Sequence, residues 1–128
     1  MIGAIMPRTK KGDTAPTLRV RLRVYRGDEV ALGPGKASLL AAIAETGSLA
    51  HASRQLGMSY MRAWNLLQTM DRCFREPVVR SLRGGHRGGR AELTRNGREI
   101  LELYQAMTAE SLKRMLPAWR RISRRLRS

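Results

Sequence analysis

Apolar and polar residues alternate one for one from Leu18 to Val24, with Arg19, Arg21 and Arg23 set between Leu18, Val20, Leu22 and Val24. A period of two is the signature of a strand with one buried face, and the three arginines are read as its solvated side. Gly27-Asp28 supplies a turn, and Glu29–Leu32 is predicted to return as a second strand. After Gly33-Pro34-Gly35 the period changes to that of a helix. Leu39, Leu40 and Ile43 mark its buried face, Ala41, Ala42 and Ala44 favour it, and Gly47 is its expected C-cap. Ser48 is read as the cap of a short helix with Leu49, Ala52 and Leu56 on one face, ended by Gly57. Ser59 then caps a third helix. Its apolar stripe is Tyr60, Ala63, Trp64, Leu67, Met70 or Asp71, and Phe74, and Pro77 is expected to stop it. The stripe assigns Tyr60 and Trp64 to the core rather than to base stacking.

Val78–Leu82 and Arg90–Leu93 read as two short strands joined by the glycine- and arginine-rich stretch Arg83 to Gly89. Thr94 is the expected cap of a last helix. Along it Leu101, Tyr104, Thr108, Leu112, Met115, Trp119, Ile122 and Leu126 fall on one stripe. Pro117 lacks an N–H for the carbonyl four residues back, which predicts a kink or break, and the tail beyond it carries Arg120, Arg121, Arg124, Arg125 and Arg127. The fold class predicted is mainly α with small β-hairpins. Three divisions follow: a flexible basic arm over 1–17, a winged helix-turn-helix over 18–93, and a C-terminal dimerisation helix with a basic tail over 94–128.

Charge narrows the function. The 128 residues, one domain by length, hold 25 Lys plus Arg against 10 Asp plus Glu, a net charge of +15. Such an excess attracts polyanions, so nucleic acid or an anionic membrane is the expected partner. No apolar run approaches the ~20 residues that span a bilayer, and Ile2–Met6 is too short for a signal-peptide core; the reading is cytoplasmic, with no membrane partner. Cys73, the one cysteine, excludes an intramolecular disulfide and a multi-cysteine zinc site, and is read as a buried structural thiol. His51 and His86 have no carboxylate or nucleophile at a recognisable spacing, so the reading is not an enzyme and assigns no catalytic residue and no metal.

The segment Thr46–Met70 has the parts of a helix-turn-helix in order: a short helix with the small residue Ala52, a turn with Gly57, and a helix polar on its outer face. A B-DNA major groove admits one helix, whose N-terminal side chains reach base edges. Ser59, Met61, Arg62 and Asn65 occupy that leading face, with Gln68 and Thr69 a turn further on. Arg62 suits guanine bidentately and Asn65 suits adenine. A plain helical hairpin with a solvated face has the same pattern; the charge and the basic hairpin downstream favour DNA. Arg83, His86, Arg87 and Arg90 make that hairpin a candidate DNA wing. Gly85-His86-Arg87-Gly88 also matches the loop of a KH domain, but strands rather than helices flank it.

These residues carry a resemblance. Leu32-Gly33-Pro34-Gly35-Lys36, Glu45-Thr46-Gly47-Ser48-Leu49, Leu56-Gly57-Met58-Ser59-Tyr60-Met61-Arg62-Ala63-Trp64, Phe74-Arg75-Glu76-Pro77-Val78-Val79 and Ala91-Glu92-Leu93-Thr94, with the glycine-rich loop, resemble the N-terminal domain of ModE-type molybdate-responsive regulators. The helix-turn-helix is also similar to that of LysR-type regulators. The resemblance runs from about Leu18 to Met107. It implies a homodimer held by the long last helix (Leu101, Tyr104, Leu112, Met115 and Trp119) and the N-terminal strands, with Ser59, Met61 and Arg62 at the DNA. Met61 departs from the Lys or Arg usual there. ModE-type regulators carry molybdate-binding domains after the dimer helix; nothing in this sequence forms one, so no cofactor is expected.

The leading expectation is a sequence-specific transcriptional regulator that binds an inverted repeat of double-stranded DNA as a homodimer, with a separate effector-sensing protein among its potential partners. A non-specific RNA or architectural DNA binder using the Arg-Gly-Gly loop is the alternative. A third reading is a protein-interaction module whose Leu101–Leu126 stripe docks a partner helix.

Overall fold

The computed structural model describes residues 14–82 and 89–127. Its elements are β1 (Val24–Arg26), β2 (Glu29–Leu32), α1 (Pro34–Thr46), α2 (Leu49–Gln55), α3 (Tyr60–Cys73), β3 (Val79–Ser81), β4 (Ala91–Leu93) and α4 (Arg95–Ser123). The chain is mainly helical, with two small antiparallel hairpins and a long C-terminal helix, as the periodicities predict. It divides into two compact units: Leu22–Glu102, and the described residues on either side of it.

In the Leu22–Glu102 unit, α1 is the central element, packing against α2, α3, β2 and β4. Pro34 at its first turn presets the helical φ, and Gly47 ends it in the left-handed region at φ 72°, its N–H donating to the Ile43 carbonyl. Leu39, Leu40 and Ile43 from α1, Met70 from α3 and Val78 before β3 are fully buried. Each such side chain contributes about 1.5–3 kcal/mol of burial. The start of α4 is fastened to the chain entering β3. Thr94 donates its N–H to the Val78 carbonyl at 3.0 Å and its hydroxyl to the Pro77 carbonyl at 2.6 Å. The same hydroxyl caps α4 by accepting the Gly97 N–H at 2.9 Å, as its sequence position predicts.

Four expectations need correction. The first strand covers Val24–Arg26 alone. Leu18, Val20 and Leu22 are half-buried and Arg19, Arg21 and Arg23 exposed, so the alternation is real. However, β2 is four residues long and the turn at Gly27 and Asp28 is tight, so its ladder reaches back only to Val24, with a register shift between Val24 and Tyr25. The third helix ends at Cys73, with Phe74 as its cap, ahead of Pro77. Cys73 is half-buried rather than buried, and its thiol lies 3.9 Å from a Glu29 carboxylate oxygen. Finally, α4 runs through Pro117 to Ser123. Pro117 and Lys113 are both exposed, so the carbonyl that proline leaves without a donor faces water and the helix tolerates it.

In the other unit, α4 buries Tyr104 and Thr108, whose hydroxyl donates to the Tyr104 carbonyl at 3.1 Å. Leu112 and Trp119 are half-buried, while Met115, Ile122 and Leu126 on the same stripe are exposed. Leu103 and Met107, off that stripe, are exposed as well. No helix among the described residues is long and apolar enough to cross a membrane.

Candidate nucleic-acid interface

The site is built at the junction of α2 and α3, which pack together with Ala52 and Ala63 both fully buried. The Ser48 hydroxyl caps α2 by accepting the His51 N–H at 3.2 Å. Between the helices Gly57 turns the chain at φ 67°, where a side chain would be strained, and Met58 donates its N–H to the Ser53 carbonyl at 2.9 Å. Ser59 then caps α3, its hydroxyl oxygen accepting the Arg62 N–H at 3.0 Å. The free amides of that first turn carry a partial positive charge.

The six α3 residues singled out in the sequence separate by exposure and commitment. Ser59, Met61, Arg62 and Asn65 are exposed at the leading end, Met61 at 59%. Gln68 and Thr69 are half-buried. Thr69 donates its hydroxyl to the Asn65 carbonyl at 3.1 Å and accepts from Arg72 at 3.3 Å, so its polar group is already occupied. Arg72 is tied in turn to Glu29 on β2 at 2.8 Å. The hydrogen bond from Arg72 holds the Glu29 carboxyl below its ordinary value of 4.5. This ion pair anchors the far end of α3 and leaves its N-terminal turns as the presented surface.

Two residues were misread. Tyr60 and Trp64 are 49% and 42% exposed rather than core. The α3 stripe is occupied on its inner side by Ala63 and Met70, which are fully buried, so the two rings stand at its edge. Lys36 is half-buried on α1, and burial, the largest effect, lowers its pKa against opposing contributions from Cys73 and Glu29, with Arg62 adding a smaller lowering.

The hairpin stands beside this surface. Arg80 on β3 and Glu92 on β4 are paired across it, with Arg80 Nε donating at 2.6 Å. Ala91 donates its N–H to the Gly47 carbonyl at 2.9 Å, Ser48 and Arg90 form a β-bridge, and a Cβ at Gly47 would lie 3.8 Å from an Arg90 guanidinium nitrogen. The base of the hairpin is therefore fixed against the α1–α2 corner, with Arg90 exposed. Arg83, His86 and Arg87 lie outside the described residues. Of the α4 residues, Leu101 and Tyr104 are buried within the chain itself, Leu112 and Trp119 are half-buried and Met115 is 37% exposed.

No protein-family model matches the chain. Similarity to individual proteins is clear. The molybdenum-pterin-binding protein MopB of Rhodobacter capsulatus is 36% identical over 104 residues, 81% of this chain and 38% of MopB. The molybdenum transport protein ModE of Azotobacter vinelandii is 34% identical over 97 residues, 76% of this chain and 36% of that protein. The chain's relatives are ModE and Mop proteins. In Escherichia coli (strain K12) the DNA-binding transcriptional dual regulator ModE is 35% identical over 74 residues, 58% of this chain and 28% of ModE. The resemblance drawn from the sequence is thus supported at the level of the family. The chain spans little more than a third of the length of the curated relatives it matches. Their names describe binding, transport or regulation, and none names a catalysed reaction.

These relatives overturn one expectation. The sequence reading assigns no cofactor and no molybdate-binding domain. Relatives named for binding a molybdenum-pterin point to a molybdenum-binding domain rather than to none. The reasoning failed because it took the ligand from the elements of a chain that matches only part of those proteins.

Proposed function

We propose that this chain is the DNA-binding portion of a molybdenum-linked transcriptional regulator. The observation that carries the reading is the leading end of α3: a capped, exposed helix N-terminus presenting Ser59, Met61, Arg62 and Asn65 on a chain of net charge +15. In this reading α2 and α3 form a helix-turn-helix and the two hairpin strands β3 and β4 form the stem of a wing. The α3 helix enters the major groove, where Arg62 pairs with guanine and Asn65 with adenine. Arg90, with Arg83, His86 and Arg87 of the wing, grips the backbone, and Gln68 and Thr69 lie further along the groove. The name of the Escherichia coli relative supports DNA as the partner.

A homodimer on an inverted repeat completes the reading, with Leu112, Met115 and Trp119 of α4 in its interface. Its support is the exposed end of the apolar stripe, where Ile122 and Leu126 are 57% and 51% exposed. Such a stripe gains by self-association. Control by a molybdenum ligand is part of this reading, supported by the name of MopB, a molybdenum-pterin-binding protein.

Selection from a random-sequence duplex pool tests the function. Enrichment of an inverted repeat, with half-site centres roughly 34–36 Å apart, is the expected result. Recovery of unrelated sequences, or equal binding to single-stranded RNA, contradicts it. Adding molybdate is expected to change affinity for the enriched duplex, and sulfate to leave it unchanged.

A further inference from the structure

A cleft of about 230 Å³ lies between α3 and the β3–β4 hairpin, lined by Tyr60, Trp64, Leu67, Gln68 and Asp71 of α3 and by Arg90. Tyr60 and Trp64 stand one helical turn apart and are the two half-exposed rings described above. Two large rings held partly in water, in a cleft that Arg90 also lines, suit a ligand that is apolar on one side and anionic on the other.

Duplex geometry names that ligand. A single sugar–phosphate strand separates the major groove from the adjacent minor groove. In the proposed reading α3 lies in the major groove and the hairpin stem stands beside it toward the backbone, so that strand passes through the space between them. The cleft is this space. Its chemistry matches: deoxyribose offers apolar faces to the rings, and Arg90 and the Tyr60 hydroxyl offer donors to phosphate oxygens. Asp71 lies toward the other end of α3, two turns beyond Trp64, where a phosphate would meet a carboxylate; the phosphate therefore belongs at the Tyr60 end.

We infer that the cleft between α3 and the hairpin seats the sugar–phosphate strand bordering the major groove, with Trp64 packed on deoxyribose and Tyr60 and Arg90 holding phosphate. The inference rests on α3 being the recognition helix. It adds residues that act on every sequence alike, because a strand contact carries no base information.

The test uses the duplex enriched by selection and a scrambled duplex of the same length, both fluorescently labelled. Saturating duplex is expected to shield the unaltered chain's tryptophan emission from acrylamide, and the Trp64→Phe variant to lose that shielding. Trp64→Ala, confirmed folded by circular dichroism at the assay temperature, is expected to weaken both duplexes by the same factor, about five-fold or more. Duplex binding with Trp64 still open to acrylamide overturns this inference and leaves the DNA reading standing. A Trp64→Ala loss confined to the enriched duplex overturns it too, by making Trp64 a base contact. Absence of anisotropy change with either duplex overturns the DNA reading, and this inference with it.

Discussion

Replacing Gly97 by alanine puts the packing of α4 to a sharp test. An alanine in place of glycine inside a helix ordinarily gains about 1 kcal/mol. At Gly97 the added Cβ comes within 2.9 Å of the Val78 carbonyl carbon and 3.2 Å of its Cα, and closer still to its oxygen. Carbon atoms prefer about 3.5–4.0 Å, so the two backbones have to part by roughly an ångström. Val78 is fully buried and its carbonyl already accepts the Thr94 N–H at 3.0 Å, so no flexible group is there to give way. Overpacking costs about 1–3 kcal/mol and the weakened hydrogen bond about 0.5–1.5. Against the helix gain, the net loss is about 2 kcal/mol, or a fall in Tm of roughly 8 °C. Gly35 on α1 is the control, since a Cβ there meets nothing within 4 Å. Thermal melts followed by circular dichroism are expected to show Gly35→Ala at or above the parent and Gly97→Ala well below it. A Gly97→Ala variant as stable as Gly35→Ala would refute the close approach of α4 to the chain entering β3.

Arg62→Ala is expected to cost ~1–3 kcal/mol on the enriched duplex and to relax the preference at one base pair per half-site, whereas Arg87→Ala weakens all sequences alike; uniform weakening by Arg62→Ala in competition assays contradicts its place as a base contact. Because Arg72 holds the Glu29 carboxyl below its ordinary 4.5, the pair's contribution is complete above that value and is lost as the pH falls through the lowered folded-state pKa. Urea midpoints should therefore separate the parent from Glu29→Gln at neutral pH and converge in acid, and a gap that widens toward acid contradicts this sign. Leu112→Lys or Met115→Lys is expected to give monomers in sedimentation and weaker DNA binding; unchanged sedimentation would remove α4 from the dimer interface.

The helical part of the fold was legible because its signals are local. Gly33-Pro34, Gly47, Ser48, Gly57, Ser59 and Thr94 each act on the backbone within a turn of themselves, and the structure uses every one as a cap, start or turn. What went unread depends on partners distant in sequence. The β1–β2 ladder is limited by the length of β2, which alternation at Leu18–Val24 does not reveal. Tyr60 and Trp64 fit the apolar period of α3, but which residues of a wide stripe reach the core depends on what packs against it, and Ala63 and Met70 take that position. Pro117 was read from its chemistry alone as a kink or a break; α4 does not break there, and the exposure of Lys113 makes the lost hydrogen bond tolerable. Among the candidate DNA residues, Thr69 was marked by its place on a polar face; its bonds to Asn65 and Arg72 were not foreseeable from spacing. The molybdenum connection was named from the resemblance and then set aside by counting elements, whereas the relatives named for binding a molybdenum-pterin point to it.

The central claim is that α3 and the hairpin grip duplex DNA sequence-specifically, and the salt dependence of affinity for the enriched and scrambled duplexes tests it most directly. With roughly 6–10 phosphate contacts per dimer, affinity for the enriched duplex should fall by about 10³–10⁵ between 50 and 200 mM salt. At physiological salt it should still exceed that for the scrambled duplex by ~10³ or more. A flat salt response, or equal affinity for the two duplexes across the series, would contradict the account.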